Sequence, residues 1–173
     1  MIISRNKKFV FFHLYKVAGT SIRNSLSKYH DFEYRCEGHD TPNDLISKYG
    51  KEFYNSLFKF SFVRNPWDWQ VSLYSFMLNE RQHFQHNLIK NMTFDEYIEW
   101  RVNEDFKTQY SFLSENNDHN SPITLDYIGK LENIEHDFNE ITQKIGIDAN
   151  LAHLNKSPHK NYKEYYTKNH GIL

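Results

Sequence analysis

KKFVFFHLYKVAGTSIRNSL, residues 7–26, is the stretch that decides the fold. Residues 8–14 (KFVFFHL) are aromatic and β-branched without alternation, which suits a strand covered on both faces, as in a parallel sheet. The chain then breaks at LYKVAGTS and takes up helical spacing, with Ile22 and Leu26 four apart and Thr20 and Ser21 at the start as capping residues. This is strand, turn and helix. A helix N-terminus presents unpaired N–H groups and partial positive charge, so a turn bearing Lys16 and Gly19 there reads as an oxyanion cradle. The other reading is a plain β–α turn with a solvated lysine. The lysine precedes the glycine and the loop has no earlier glycine, so the spacing is not that of the G-x-x-x-x-G-K-[ST] nucleotide loop.

Working outward, FKFSFVRNPWDW repeats the pattern: an aromatic strand over 58–63 ends at Arg64, and Pro66 opens a helix carrying Val71, Tyr74 and Leu78. In metal-dependent phosphoryl-transfer enzymes a later strand ends in an acid that helps hold magnesium. Here it ends in a cation, which points to a second anionic group on the ligand and to chemistry without a metal. Ser72, two turns into the helix, adds a hydroxyl donor; the competing reading pairs Arg64 with Asp68. Residues 31–36 form a short strand and Thr41-Pro42 opens a helix that Gly50 closes. Residues 93–101 and 105–113 are helical, 115–122 is a polar loop and 125–133 a strand. Ile134, Phe138, Ile141 and Ile145 lie on one face of a helix that Gly146 ends. The last 25 residues, rich in Lys, His and Tyr, wrap the surface. Strands alternating with helices predict an α/β fold with a mainly parallel central sheet flanked by helices and a ligand site at the carboxyl ends of the strands.

The 173 residues suit one domain spanning 1–173. A net charge of -1 excludes the global basic field of a non-specific nucleic-acid binder, so any anion site is local. The single Cys36 excludes an internal disulfide and offers no zinc spacing. The longest apolar run, Phe9–Phe12, is too short for a membrane span or a signal-peptide core. A cytoplasmic protein without membrane insertion is expected, in line with a mean hydropathy of -0.78.

These residues carry a resemblance. FVFFHLYKVAGTSI resembles the 5'-phosphosulfate loop of sulfotransferases that use 3'-phosphoadenosine 5'-phosphosulfate (PAPS), and FSFVRNPWDWQVSLYSF resembles their 3'-phosphate motif. The likeness is greatest to the small bacterial branch related to carbohydrate sulfotransferases. It extends to GHDTPNDL, IGKLENIEHDFNEITQKIGI and LAHLNKSPHKNY, and covers about residues 8–166. The resemblance implies a P-loop-like sulfotransferase fold. It gives Lys16 contact with the 5'-phosphosulfate, Ala18, Gly19, Thr20 and Ser21 the loop around it, and Arg64 and Ser72 the 3'-phosphate. The chain departs from the pattern at Tyr15, where proline is usual, at Val17, where a small polar residue is frequent, and at Trp69, where arginine is common.

Sulfuryl transfer needs a base for the acceptor hydroxyl, and a neutral imidazole suits that task. His39 in GHDTPNDL precedes a helix at the active edge of the sheet and resembles the histidine of the HADW-type segment of heparan sulfate 6-O-sulfotransferases, which acts as base. Glu37, Asp40 and His13 are its rivals; His13, inside the strand, reads as a core or ligand-lining residue and Cys36 as a small buried hydrophobe. Lys156 and Ser157 fold onto the nucleotide if the tail follows its relatives. The expected activity is transfer of a sulfuryl group from PAPS to a hydroxyl of a small-molecule or glycan acceptor, with a sugar as the expected class and PAP as product. The alternatives are a P-loop-like small-molecule kinase and a non-catalytic PAP-binding protein of the same fold.

Overall fold

The computed structural model describes residues 1–32, 39–151 and 159–166. They group into two compact units, Met1–Arg64 with Thr108–Asn155, and Asn65–Lys107 with Lys156–Leu173.

The first unit opens with strands β1 (Ile2–Ser4) and β2 (Phe9–Phe12), helices α1 (Gly19–Leu26) and α2 (Pro42–Asn55), and strand β3 (Phe58–Val63). The second contains α3 (Pro66–Asn79), α4 (His86–Ile89) and α5 (Phe94–Asn103). The chain then returns to the first with α6 (Gln109–Leu113), β4 (Tyr127–Lys130) and α7 (Ile134–Lys144).

Among the described residues the four strands form one sheet in the order β1-β2-β3-β4. β1 runs antiparallel to β2, with Ile3 opposite Val10; β2, β3 and β4 are parallel, with Phe11 opposite Phe60 and Phe62 opposite Gly129. β3 is therefore interior, which explains a sequence without polar alternation. Its buried Ser61 is satisfied by donating to the Phe12 carbonyl at 2.8 Å. Gly129 is fixed by its neighbour, since a Cβ there would lie 2.5 Å from Cε1 of Phe62.

The pleat of β2 sends its residues to two cores. Val10 and Phe12 join Ile3, Phe32, Leu45, Tyr54, Leu57 and Leu113 in one buried cluster. Phe9 and Phe11 turn the other way and meet Phe60, with ring centroids 6.0 and 5.4 Å apart. Each fully buried phenylalanine contributes roughly 1.5–3 kcal/mol of transfer free energy.

The second unit is held by aromatic packing with its polar ends satisfied. Phe94 meets Tyr74 and Tyr166 edge-on at 5.4 and 5.0 Å. The hydroxyls of Tyr74, Tyr97 and Tyr166 donate to Met92 O, Gln70 Oε1 and Trp67 O at 2.6, 2.9 and 3.1 Å.

The expected strand at 58–63 and the helices from Pro66 and Ile134 stand where the sequence places them. The strand expected over 8–14 shortens to Phe9–Phe12, and other boundaries differ as well. β1 escaped notice because three residues carry no readable period. α2 does not stop at Gly50: that residue, at φ 83°, makes a kink, and a further turn delivers Tyr54 to the core. The helix expected over 105–113 starts only at Gln109, where Thr108 accepts from the Ser111 N–H as a cap. The strand expected over 125–133 shortens to Tyr127–Lys130 and ends in a 3-10 turn at Leu131–Asn133. The strand expected at 31–36 and the tail at 155–160 fall largely outside the described residues. No helix among those described is long and apolar enough to cross a membrane.

Candidate active site

The site begins where β2 runs out. Between Phe12 and α1 the loop puts two non-glycine residues, Lys16 (φ 63°) and Ala18 (φ 59°), into the left-handed region. Such conformations cost of order 1–3 kcal/mol each and persist where surrounding structure imposes them. Their consequence is a helix that starts at Gly19, with the Ile22 N–H donating to Ala18 O at 3.2 Å. Thr20 and Ser21, expected as caps, instead lie inside the first turn, Thr20 exposed and Ser21 buried. The cap position belongs to Ala18, which has no side-chain acceptor to offer, so the positive end of α1 meets no side-chain cap from it.

Gly19 is demanded by close approach, though of a different partner from the anion expected. A Cβ there would fall 1.7 Å from Cδ2 and 1.8 Å from Nε2 of His13. The loop therefore rides on the His13 imidazole.

Lys16 is half-buried, and burial, followed by the charge of Arg64, lowers its pKa below the ordinary lysine value. Arg64 stands one residue past the end of β3 and its Nη1 donates to the Lys16 carbonyl at 3.2 Å. Two adjacent parallel strands thus deliver two cations to one place, at an electrostatic cost that a bound anion would relieve. The main chain of Arg64 is itself held: its N–H donates to Gln109 Oε1 at 2.8 Å, and Gln109 Nε2 donates to its carbonyl at 2.7 Å. Sequence reasoning missed Gln109, which bonds 45 positions away in sequence and leaves no local pattern.

His39 joins the loop through His13 and Tyr15. A short connection leads from it to Thr41, which caps α2 by accepting from the Asp44 N–H at 3.3 Å while Asp44 Oδ2 accepts from the Thr41 N–H at 2.7 Å. His39 Nδ1 lies 2.8 Å from the His13 carbonyl oxygen, so Nδ1 carries the proton that is donated there and a neutral ring keeps its lone pair at Nε2. The His39 ring meets His13 edge-on at 4.6 Å and Tyr15 at 5.6 Å, and Tyr15 meets Phe112 of α6 at 6.2 Å. His39 is exposed, and partial desolvation of its ring lowers its pKa below the ordinary value, against the opposing pull of the His13 carbonyl and of Asp40. Of the rivals, Asp40 has a buried Oδ2 without a hydrogen-bond partner, and Glu37 lies outside the described residues, as do Cys36, Lys156 and Ser157. Ser72 belongs to the second unit, where it is wholly buried on α3.

His13 itself is 8 % exposed, and burial, helped by His39, Arg23 and the chain N-terminus, pushes its pKa down to about 3. Its buried Nδ1 has no hydrogen-bond partner, which is tolerable only in an uncharged ring. Unfolding restores an ordinary histidine titrating near 6.5, so below that pH the unfolded chain binds the extra proton. Stability is then expected to be flat above about pH 6.5 and to fall with pH below it by up to about 1.4 kcal/mol per unit. Denaturant unfolding from pH 7 to about pH 5 measures the slope. His13→Asn, which cannot take the proton, is expected to lose the His13 share of that slope and keep the part due to His39, whose pKa is also lowered, and an unchanged slope in the variant would assign it to other groups.

Among the described residues no cluster of three His, Cys, Asp or Glu side chains is arranged to hold a metal ion. The chain matches the model of the Sulfotransferase family over residues 1–171. It is also 28% identical over 123 residues to an uncharacterized protein of Archaeoglobus fulgidus, across 69% of this chain and 94% of that protein. No solved structure matches.

Proposed function

From the premise that this chain belongs to the sulfotransferase family, we propose that it moves a sulfuryl group from PAPS to a hydroxyl, most fittingly of a carbohydrate, within a single functional domain. The observation that carries the donor assignment is the pairing of Lys16 and Arg64 at the ends of two neighbouring strands, linked through the Lys16 carbonyl at 3.2 Å. A donor with phosphate groups at both its 5' and 3' positions offers one anionic centre to each cation. The uncapped start of α1 adds oriented N–H groups for the sulfuryl oxygens.

In this reading the acceptor oxygen attacks sulfur in line with the bridging oxygen of PAPS. The new S–O bond forms as the old one breaks, and PAP leaves with the electron pair. His39 Nε2 takes the acceptor proton, its ring held by the Nδ1 bond to the His13 carbonyl. Lys16 neutralises the charge that builds on the departing oxygen. Arg64 grips the 3'-phosphate, which takes no part in the bond being broken, and so contributes equally before and during transfer. The Tyr15 ring beside His39, itself backed by Phe112, favours a sugar, whose C–H faces pack on aromatic surfaces.

Thermal unfolding with PAP, AMP, ADP and ATP tests the donor assignment, because a ligand bound only by the native state raises the Tm according to its concentration over Kd. PAP is expected to stabilise most. Preference for ATP, with a magnesium requirement, would favour the kinase alternative, and tight PAP binding without turnover on a panel of saccharides would favour a binding protein. Arg64→Ala is expected to abolish the advantage of PAP over AMP while leaving the rate at saturating PAPS close to normal. If the variant keeps the wild-type margin, Arg64 does not hold the 3'-phosphate.

A further inference from the structure

Arg64 sits just beyond the last paired residue of β3, where Val63 still faces Lys130 of β4. Beyond that register the strand has lost its ladder, and an arginine at a frayed strand end would sample many directions. The structure replaces the missing ladder with one side chain. The primary amide of Gln109 offers an acceptor and a donor side by side, and both are used on the same residue, at 2.8 Å from the Arg64 N–H and 2.7 Å from the Arg64 carbonyl. The pairing fixes which end of the amide is oxygen, since only Oε1 can accept from the N–H and only Nε2 can donate to the carbonyl. Gln109 is the first residue of α6, a turn anchored by the Thr108 cap and by fully packed Leu113, so the amide is presented from an ordered base. The same turn carries Phe112 against Tyr15 of the anion loop.

We propose that Gln109 is a positioning residue for the 3'-phosphate: it acts as a one-residue strand that locks the main chain of Arg64 and so aims its guanidinium. The inference rests on the assignment of Arg64 to that phosphate. No other common side chain does both jobs. Glutamate keeps the acceptor and loses the donor, leucine keeps neither, and asparagine is one methylene too short to reach.

Gln109→Leu and Gln109→Glu test this. In the protein without nucleotide, hydrogen exchange at the Arg64 amide is expected to quicken in the leucine variant and to stay slow in the glutamate variant, with Phe60 and Phe62 protected in both. PAP affinity of the leucine variant is expected to fall roughly tenfold, the effect of losing two ordinary hydrogen bonds, with AMP affinity and the rate at saturating PAPS almost unchanged. A merely structural role would weaken PAP and AMP together and lower the rate, and that result overturns the proposal, as does slow Arg64 exchange in the leucine variant. If the wild type itself shows no preference for PAP over AMP, the donor assignment fails on its own account. Binding of inorganic pyrophosphate then decides for Gln109: weakened by the leucine change, it supports positioning of Arg64, and unchanged, it refutes it.

Discussion

Lys16→Ala is expected to lower the rate of transfer at saturating PAPS by about a hundredfold or more, the usual loss when a preorganised charge stabiliser is removed. The affinity for PAP should change much less, because the charge that Lys16 meets on the bridging oxygen grows only as the S–O bond breaks. Arg64 bonds to the carbonyl of Lys16 and not to its side chain, so alanine leaves that bond in place. Alanine also takes the same left-handed φ at no greater strain than lysine, as Ala18 does two residues on. It removes a cation whose pKa is lowered by burial and then by the charge of Arg64. Single-turnover kinetics beside PAP titration separate the two quantities, and a rate within a few-fold of wild type would remove Lys16 from the transition state.

His39→Ala should be costlier, with a fall of roughly a hundred to ten thousandfold, the range for removal of a positioned base. Alanine also deletes the bond to the His13 carbonyl, so His39→Asn is the sharper variant: its amide still donates there, and it cannot accept a proton at pH 7. Equal losses in both variants locate the defect in proton transfer, whereas recovery by asparagine would mean that His39 is a spacer. The wild-type rate should fall as pH drops through the His39 pKa, because the protonated ring has no lone pair left. Partial desolvation of the ring places that limb below the ordinary histidine value of about 6.5. The limb is absent in the variants if His39 is the base, and its survival passes the role to Asp40 or Glu37.

The parts legible in the sequence are those governed by local pattern. FKFSFV reads as an interior strand because nothing in it alternates, and Pro66 and Gly146 mark the ends of helices by restrictions that belong to the residues themselves. Lys16, Gly19, Arg64 and His39 stood out because strand ends and helix starts are where charge is useful. The rest depends on contacts that sequence spacing does not encode. The left-handed backbone at Lys16 and Ala18 is invisible because neither is glycine, and it moves the start of α1 ahead of the expected caps. Gly19 is readable as a position of close approach, but the ring beneath it, that of His13, is not. Gln109 looks like any polar residue at a helix start until Arg64 is found against it.

The Gln109 clamp also ties together the two points at which the chain leaves and re-enters the first unit, after Arg64 and before Thr108. A neck fastened in this way uncouples the length of the excursion from the sheet. Lengthening an exposed connection inside such an excursion costs the sheet mainly loop-closure entropy, about 0.6 kcal/mol for each doubling of a flexible loop. Insertions at the exposed stretch around Gln82, between α3 and α4, should therefore cost the sheet little. A grafted tag or inserted module placed near residue 82 should leave PAP binding intact, whereas one residue added between Arg64 and Pro66 should not.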